Sequence, residues 1–179
     1  MKLNMDLARE FENILRDFGY DVLVLRTDRK LFCSCYNEVT QEASRECPIC
    51  LGLGWTFIAE RHTARSQEAI GSTQLARVLN DTGIGSVAVS DRKYFFLPNM
   101  KALEKDLIVE VEWDEFGRPT YEDGGIWAIT NVVKSKNLGK GKEVYKTYYA
   151  SETPVRSKIR GIRISELNGI KQYNILMEG

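Results

Sequence analysis

The sequence predicts a mainly β protein: a small barrel or sandwich, preceded by one amphipathic helix and interrupted by a four-cysteine insertion. Three observations carry this reading. Short apolar runs of strand length recur from Ile84 onward, separated by Gly, Pro and Asp turns. One stretch at the N-terminus has helical rather than alternating periodicity. All four cysteines fall in one window, as two close pairs, Cys33/Cys35 and Cys47/Cys50. The 179 residues make one domain of ordinary size, or one with a small appendage, and the apolar fraction of 43% is that of a globular protein. The expected segments are a helix over 1–20, the cysteine knuckle over 21–60, a β-barrel core over 61–153 and a C-terminal strand or arm over 154–179.

The helix is read from Leu3, Leu7, Phe11, Ile14, Leu15 and Phe18, which form one stripe, with Gly19 placed to end it as a C′ residue. A helix this short is marginal alone, so the stripe must dock on its own domain or on a neighbouring subunit. Tyr20–Arg26 reads as a strand leading into the cysteine window, and Trp55, Phe57 and Ile58 as a strand leaving it. Residues 59–84 are the least readable; Gln74–Leu79 suggests a helical turn, and Asn80-Asp81-Thr82-Gly83 a chain reversal. Val87-Ala88-Val89 and Tyr94–Leu97 follow as strands. Leu107, Val109, Val111 and Trp113 alternate with Ile108, Glu110, Glu112 and Asp114, which predicts one strand with one buried face. Ile126–Val133 is apolar on both faces and reads as central; Glu143–Ala150 follows the Gly139-Lys140-Gly141 turn. Ile159, Ile162 and Ile164, then Tyr173, Ile175 and Leu176, suggest one more strand and an exposed arm.

The cysteines read C-x-C, an eleven-residue gap, then Cys47-Pro48-Ile49-Cys50 followed by Leu51-Gly52-Leu53-Gly54. Two close pairs supply the four thiolates of a tetrahedral metal site. Pro48 pre-sets the turn between the last two ligands. The glycines let backbone amides aim at the sulfurs without Cβ strain. Disulfides are the alternative and need an oxidising compartment, but Met1–Asp6 has no apolar signal core and no run is long enough to span a bilayer. Metal is therefore the expectation. Zn²⁺ is the expected ion, with iron in a rubredoxin-like site as the alternative. Four protein ligands close the site, which makes it structural.

His62, the only histidine, lacks triad partners and reads as a packing residue. Gly83-Ile84-Gly85 is explained by turns and is no dinucleotide fingerprint. Glu110, Glu112 and Asp114 read as the solvated face of a half-buried strand. Lys134, Lys136, Lys140, Lys142 and Lys146, near Tyr145, Tyr148 and Tyr149, form a candidate nucleic-acid contact, with Arg156, Lys158, Arg160 and Arg163 following. The formal net charge of zero argues against binding driven by bulk charge and leaves only such a local patch.

An N-terminal helix, a strand with Arg26 seven residues before Cys33-x-Cys35, and Cys47-Pro48-x-Cys50-x-Gly52-x-Gly54-Trp55 resemble the zinc-knuckle structural proteins of tailed phages. The later half, with Leu103–Val109 around Asp106, Ile126-Trp127-x-Ile129-x-Asn131-Val132 and a glycine turn before Tyr145, is similar to phage head-completion (stopper or neck) proteins. The Cys-x-x-Cys-x-Gly-x-Gly unit also occurs, repeated, in Hsp40-type chaperones; here it stands once. The resemblance implies a small β-barrel forming a homo-oligomeric ring between portal and tail. It implies portal or adaptor and tail proteins as neighbours, contact with packaged DNA, no membrane, and residence in the virion after assembly in the host cytoplasm. It carries over Cys33, Cys35, Cys47 and Cys50 as metal ligands, and a role in assembly rather than catalysis. The competing expectations are a zinc-ribbon nucleic-acid module using the hairpin 134–146 and, behind it, a hydrolase on the acidic strand.

Overall fold

The computed structural model describes residues 6–44, 47, 49–50, 52, 54–68, 91–120, 125–136, 141–153, 159–167 and 170–177. The expected elements at Gln74–Leu79, Asn80–Gly83 and Val87–Val89 lie outside them, as do Pro48, Lys140, Arg156 and Lys158. The chain runs α1 (Leu7–Phe18), β1 (Tyr20–Phe32), β2 (Tyr36–Asn37), β3 (Glu42–Ala43), β4 (Trp55–Glu68), β5 (Asp91–Phe96) and β6 (Leu107–Glu110). It continues through β7 (Glu112–Trp113), β8 (Pro119–Thr120), β9 (Ile126–Lys136), β10 (Glu143–Glu152), β11 (Ile159–Leu167) and β12 (Ile170–Met177). Six strands close a barrel in the order β1-β4-β5-β10-β9-β6, and β2-β3, β7-β8 and β11-β12 form separate two-stranded sheets. A mainly β protein with a small barrel and one helix is the predicted class. Closure leaves the barrel without a free sheet edge. The chain divides into two compact units: Met1–Asp21 with His62–Lys105 and Trp127–Glu152, and Val22–Arg61 with Asp106–Ile126 and Thr153–Gly179.

In the first unit, the Asp6 carboxylate accepts from the Ala8 amide at 3.3 Å and caps α1. Leu15 is buried and Phe11 stacks on Tyr145 of β10, with ring centroids 4.7 Å apart, while Leu7, Ile14 and Phe18 keep exposed surface. Gly19 ends the helix for a reason other than the expected left-handed C′ geometry. Its φ of −84° and ψ of 163° are extended. A Cβ there would lie 2.2 Å from the Leu15 carbonyl oxygen and 2.9 Å from Thr63 Cγ2, so close approach demands glycine.

β10 pairs antiparallel with β5 (Thr147 opposite Phe95) and with β9 (Tyr148 opposite Val132). Tyr94, Phe96, Met100, Ile129 and Tyr148 are all buried here, and the Phe96 and Tyr148 rings meet edge to face at 5.4 Å. The Met100 carbonyl accepts from Tyr148 Oη at 3.2 Å and from Lys146 Nζ at 2.6 Å. β9 is flanked on both sides, as its apolar sequence predicts, but only its first half is buried; Val133 is 44% exposed.

In the second unit, β1 pairs antiparallel with β6, Leu23 opposite Val109, and Val22–Leu25 and Leu107–Val109 are consecutive buried residues. The expected strand over 107–114 with one buried face is thus corrected. Both faces of 107–109 are covered and the strand ends at Glu110. Glu112–Trp113 belongs to a separate hairpin with Pro119–Thr120, turned by Asp114, whose Oδ1 accepts from the amides of Phe116 (2.9 Å) and Arg118 (2.7 Å). Asp106, 2% exposed, accepts at Oδ1 from the Thr27 amide (3.0 Å) and hydroxyl (2.6 Å), fixing the approach to β6 on β1. The C-terminal segment is a hairpin, β11 against β12 from Leu167↔Ile170 outward, and not a strand plus a free arm.

Candidate metal centre

β1 ends at Phe32 and delivers Cys33 directly. The chain then turns so that the Tyr36 amide donates to the Cys33 carbonyl at 2.9 Å, and β2 and β3 form a short hairpin. Its loop is held by Asn37 Oδ1, which accepts from the Val39 (2.9 Å) and Thr40 (3.4 Å) amides, and by Gln41 at φ 56°. The hairpin returns the chain to Ser44, whose carbonyl accepts from the Cys47 amide at 3.1 Å. Gly54 closes the loop: its carbonyl accepts from the Cys33 amide at 2.9 Å, just before β4 begins at Trp55.

This path brings the four predicted ligands together. The Sγ atoms of Cys33 and Cys47 lie 3.7 Å apart, those of Cys35 and Cys50 3.4 Å apart, and all four fall within 4.8 Å of one another. A tetrahedron of thiolates about 2.3 Å from a central ion has edges of about 3.8 Å. A disulfide needs about 2.05 Å. The cysteines are free thiols, and Cys33, Cys47 and Cys50 are buried with Cys35 and Ala43 packed against them. The cluster can hold a metal ion.

Backbone amides supply the surrounding shell. Those of Ile49 and Cys50 reach the Cys47 sulfur, and those of Gly52 and Gly54 reach the Cys50 sulfur. Gly52 and Gly54 sit at φ of 80° and 79°, as the sequence suggested for a metal knuckle. A Cβ on Gly54 would also approach Tyr36 Cδ2 to 3.1 Å. Burial opposes ionisation of Cys47, but the amides of Cys50 and Ile49 and the thiols of Cys35 and Cys33 outweigh it and bring the group down to about 7. Burial, followed by the neighbouring Cys47 and Cys50 sulfurs, pushes Cys35 up to about 12. The sulfurs thus differ in how readily they ionise, Cys47 more and Cys35 less than an ordinary thiol. A cation held by the four sulfurs would favour the thiolate form of all of them.

The stems are reinforced by Phe32, Tyr36 and Glu60, which no motif marks out, acting with Trp55 and Arg26. Phe32 stacks on Tyr36 (4.4 Å) and on Trp55 (4.1 Å), so aromatic rings meet where the window opens at Cys33 and closes at Gly54. Phe32 and Trp55 stand at equal offsets outside the Cys33/Gly54 closure, and that symmetry was the available signal. Further along the same strands Arg26 grips Glu60 with two parallel hydrogen bonds, Nε to Oε2 at 2.8 Å and Nη2 to Oε1.

The other sequence candidates are dispersed. His62 meets Phe96 edge to face at 6.3 Å, in keeping with a packing role. Lys134, Lys136 and Lys142 are exposed, and Lys134 lies 3.7 Å from Glu143 Oε1. Lys146 does not belong to that surface. It is only 9% exposed, donates to the Met100 carbonyl, and has its pKa lowered by burial. Tyr148 is buried and Tyr145 is covered by Phe11, so these two of the three tyrosines pack the protein. Tyr149 has Lys93 Nζ 5.4 Å from its ring centre. In the second unit a cavity of about 500 Å³ lies between Phe57–Arg61 of β4 and Gln172–Asn174 of β12, beside the Arg61 guanidinium, which sits 4.0 Å over the Trp113 ring. No helix among the described residues is long and apolar enough to cross a membrane.

No family model matches the sequence, and the curated proteins contain no significant match to it.

Proposed function

We propose that the protein is a structural component of a tailed-phage virion, a head-completion or stopper protein that forms a ring in the neck between portal and tail, with Zn²⁺ in the four-cysteine knuckle. The observation that carries this reading is the closed sulfur cluster. Four cysteine ligands leave no position for water or substrate, so an ion held there organises the chain and does no chemistry. The small barrel and the sequence resemblance around Cys33–Trp55 and Ile126–Val132 support the neck assignment. Thiolate ligation favours Zn²⁺ in a reducing cell, and the ion would be held by Cys33, Cys35, Cys47 and Cys50.

Two measurements test this. Elemental analysis of chain purified without added metal is expected to find one Zn²⁺ per protomer, and a folded, metal-free chain would remove the knuckle reading. Mass spectrometry of purified particles is expected to find the protein in the virion. Particles made without it should package genome but fail to retain it or to join tails. Absence of the protein from particles would sink the neck assignment. The hairpin module binding nucleic acid would then take precedence, its salt-sensitive DNA affinity resting on Lys134, Lys136, Lys140 and Lys142.

A further inference from the structure

The cavity between β4 and β12 has the form of a slot one strand wide. Its lining is two unbroken runs, Phe57–Arg61 and Gln172–Asn174. Side chains of a strand alternate between its faces, so a cavity on one face would touch every second residue. This one meets exposed Gln172 and Asn174 as well as buried Tyr173, which places it along the edge of β12. Its volume of about 500 Å³ is that of a ligand site. Phe57–Arg61 gives it a wall roughly 13 Å long, enough for a short extended segment.

The register of β11 and β12 tells which peptide groups face the slot. The ladder closes on Leu167↔Ile170 across two residues, and a connection that short closes on a hydrogen-bonded pair. Bonded pairs alternate with pairs whose peptide groups point outward. Ser165↔Gln172 and Arg163↔Asn174 are therefore bonded across the ladder, and the N–H and C=O of Tyr173 point away from β11. Among the described residues β12 has β11 as its strand partner and no other. The slot is also cationic. Arg61 places its guanidinium 4.0 Å over the Trp113 ring, and exposed Arg163 stands opposite Asn174. The lining carboxylate of Glu60 is gripped by Arg26. Asp114 spends Oδ1 on its own turn, and Glu112 lies on the other face of its strand from Trp113.

We propose that this slot takes an extended acidic segment of a partner polypeptide, which adds as a strand to the edge of β12. The segment exchanges backbone hydrogen bonds with Tyr173 and sets a carboxylate toward Arg61. In strand addition the main-chain bonds supply affinity, and the pockets for alternate side chains supply selectivity. Here the selectivity has two parts. Arg61 and Arg163 favour acidic residues by charge complementarity. Phe57 and Ile58, the latter 55% exposed, offer apolar surface to aliphatic residues between them. The inference concerns a site apart from the knuckle and does not rest on the neck reading, so either can fail without the other.

The test uses the full-length, metal-loaded chain and a short end-blocked peptide of alternating valine and glutamate, carrying a fluorophore. Anisotropy should show saturable binding. The same peptide methylated at its backbone nitrogens should not bind, and a valine–lysine counterpart should bind far more weakly. Arg61→Gln should weaken binding about tenfold, and Arg61→Lys, which keeps the charge, should recover most of it. Arg61 is exposed, and circular dichroism melts check that both variants fold. Hydrogen exchange on the parent chain gives a readout that needs no variant. Bound peptide should protect the Tyr173 amide, while the Gln172 and Asn174 amides, already bonded to β11, change little. Absence of saturable binding at millimolar peptide overturns the proposal. So does equal binding of the methylated or lysine peptide, or a Tyr173 amide whose exchange is unchanged. A thymidine oligonucleotide that binds more tightly than the peptide and is likewise lost in Arg61→Gln would assign the slot to nucleic acid, and the proposal falls.

Discussion

The β5-β10-β9 sheet and the cysteine window reach order by opposite routes. The sheet has Tyr94, Phe96, Met100, Ile129 and Tyr148 sealed from water, each contributing apolar area and interlocking shape. The window from Cys33 to Gly54 has almost nothing of that kind. Its described buried side chains are cysteines, and the segment between the ligand pairs is polar. It relies on sulfur atoms gathered for a cation, amides turned toward them, and an aromatic stack at the stem. Apolar packing tolerates gradual damage, whereas a four-ligand site fails when one ligand is lost.

The largest expected effect follows from that contrast. Cys47→Ser should remove an interaction worth on the order of 10 kcal/mol in zinc peptides. Amide hydrogen exchange should rise sharply across residues 33–54 and change little across 107–133. Equal loss of protection in both regions would mean that the knuckle is part of the main core.

The second effect is smaller but spread more widely. Phe96→Ala leaves a cavity between Tyr148 and Tyr94 and should cost about 3–5 kcal/mol, read as a lower urea midpoint for the whole barrel. Zinc content should stay at the parental value, and loss of metal in this variant would erase the distinction between the two regions.

The smallest effect sharpens the comparison within the barrel itself. Lys146 is a cation in an apolar setting, with its pKa lowered by burial below the ordinary 10.5. Between its folded value and 10.5 the unfolded chain binds more protons than the folded one, so this group makes stability rise with pH across that window; below it, the full cost of burying the charge is present. Lys146→Met removes that cost and leaves the Met100 carbonyl with Tyr148 as a donor. Stability at neutral pH should therefore change by no more than about 1 kcal/mol. The alkaline rise in melting temperature attributable to this residue should vanish; a variant that keeps the whole rise would assign it to another group.

The class of fold and the four ligands were legible because their signals are local and redundant: paired cysteines with following glycines, alternating strands, one helical stripe. Other features depended on contacts that spacing does not encode. β4 runs ten residues past Ile58, through Ala-Glu-Arg-His-Thr-Ala-Arg-Ser-Gln-Glu, which has little β propensity; pairing with β5 makes it a strand. Gly19 looked like a left-handed cap but is a space requirement set by the Leu15 carbonyl and, far along the chain, by Thr63. Lys146 looked like its surface neighbours because nothing in the sequence places a bare carbonyl at Met100. The β11–β12 hairpin does carry a sequence signal: Asn168-Gly169, a dipeptide that favours tight reversals, stands between its two strand sequences.

The closure between Cys33 and Gly54 also bears on the order in which the chain can assemble. All four sulfurs belong to residues 33–50, whereas the other neighbour of β1 in the barrel, β6, starts at Leu107. The knuckle is a short-range loop and barrel closure a long-range one, and short loops close at smaller entropic cost. A metal ion captured on the nascent chain would therefore clip β1 to β4 in register, through Phe32 against Trp55 and Arg26 against Glu60, before the strands that complete the barrel have been synthesised.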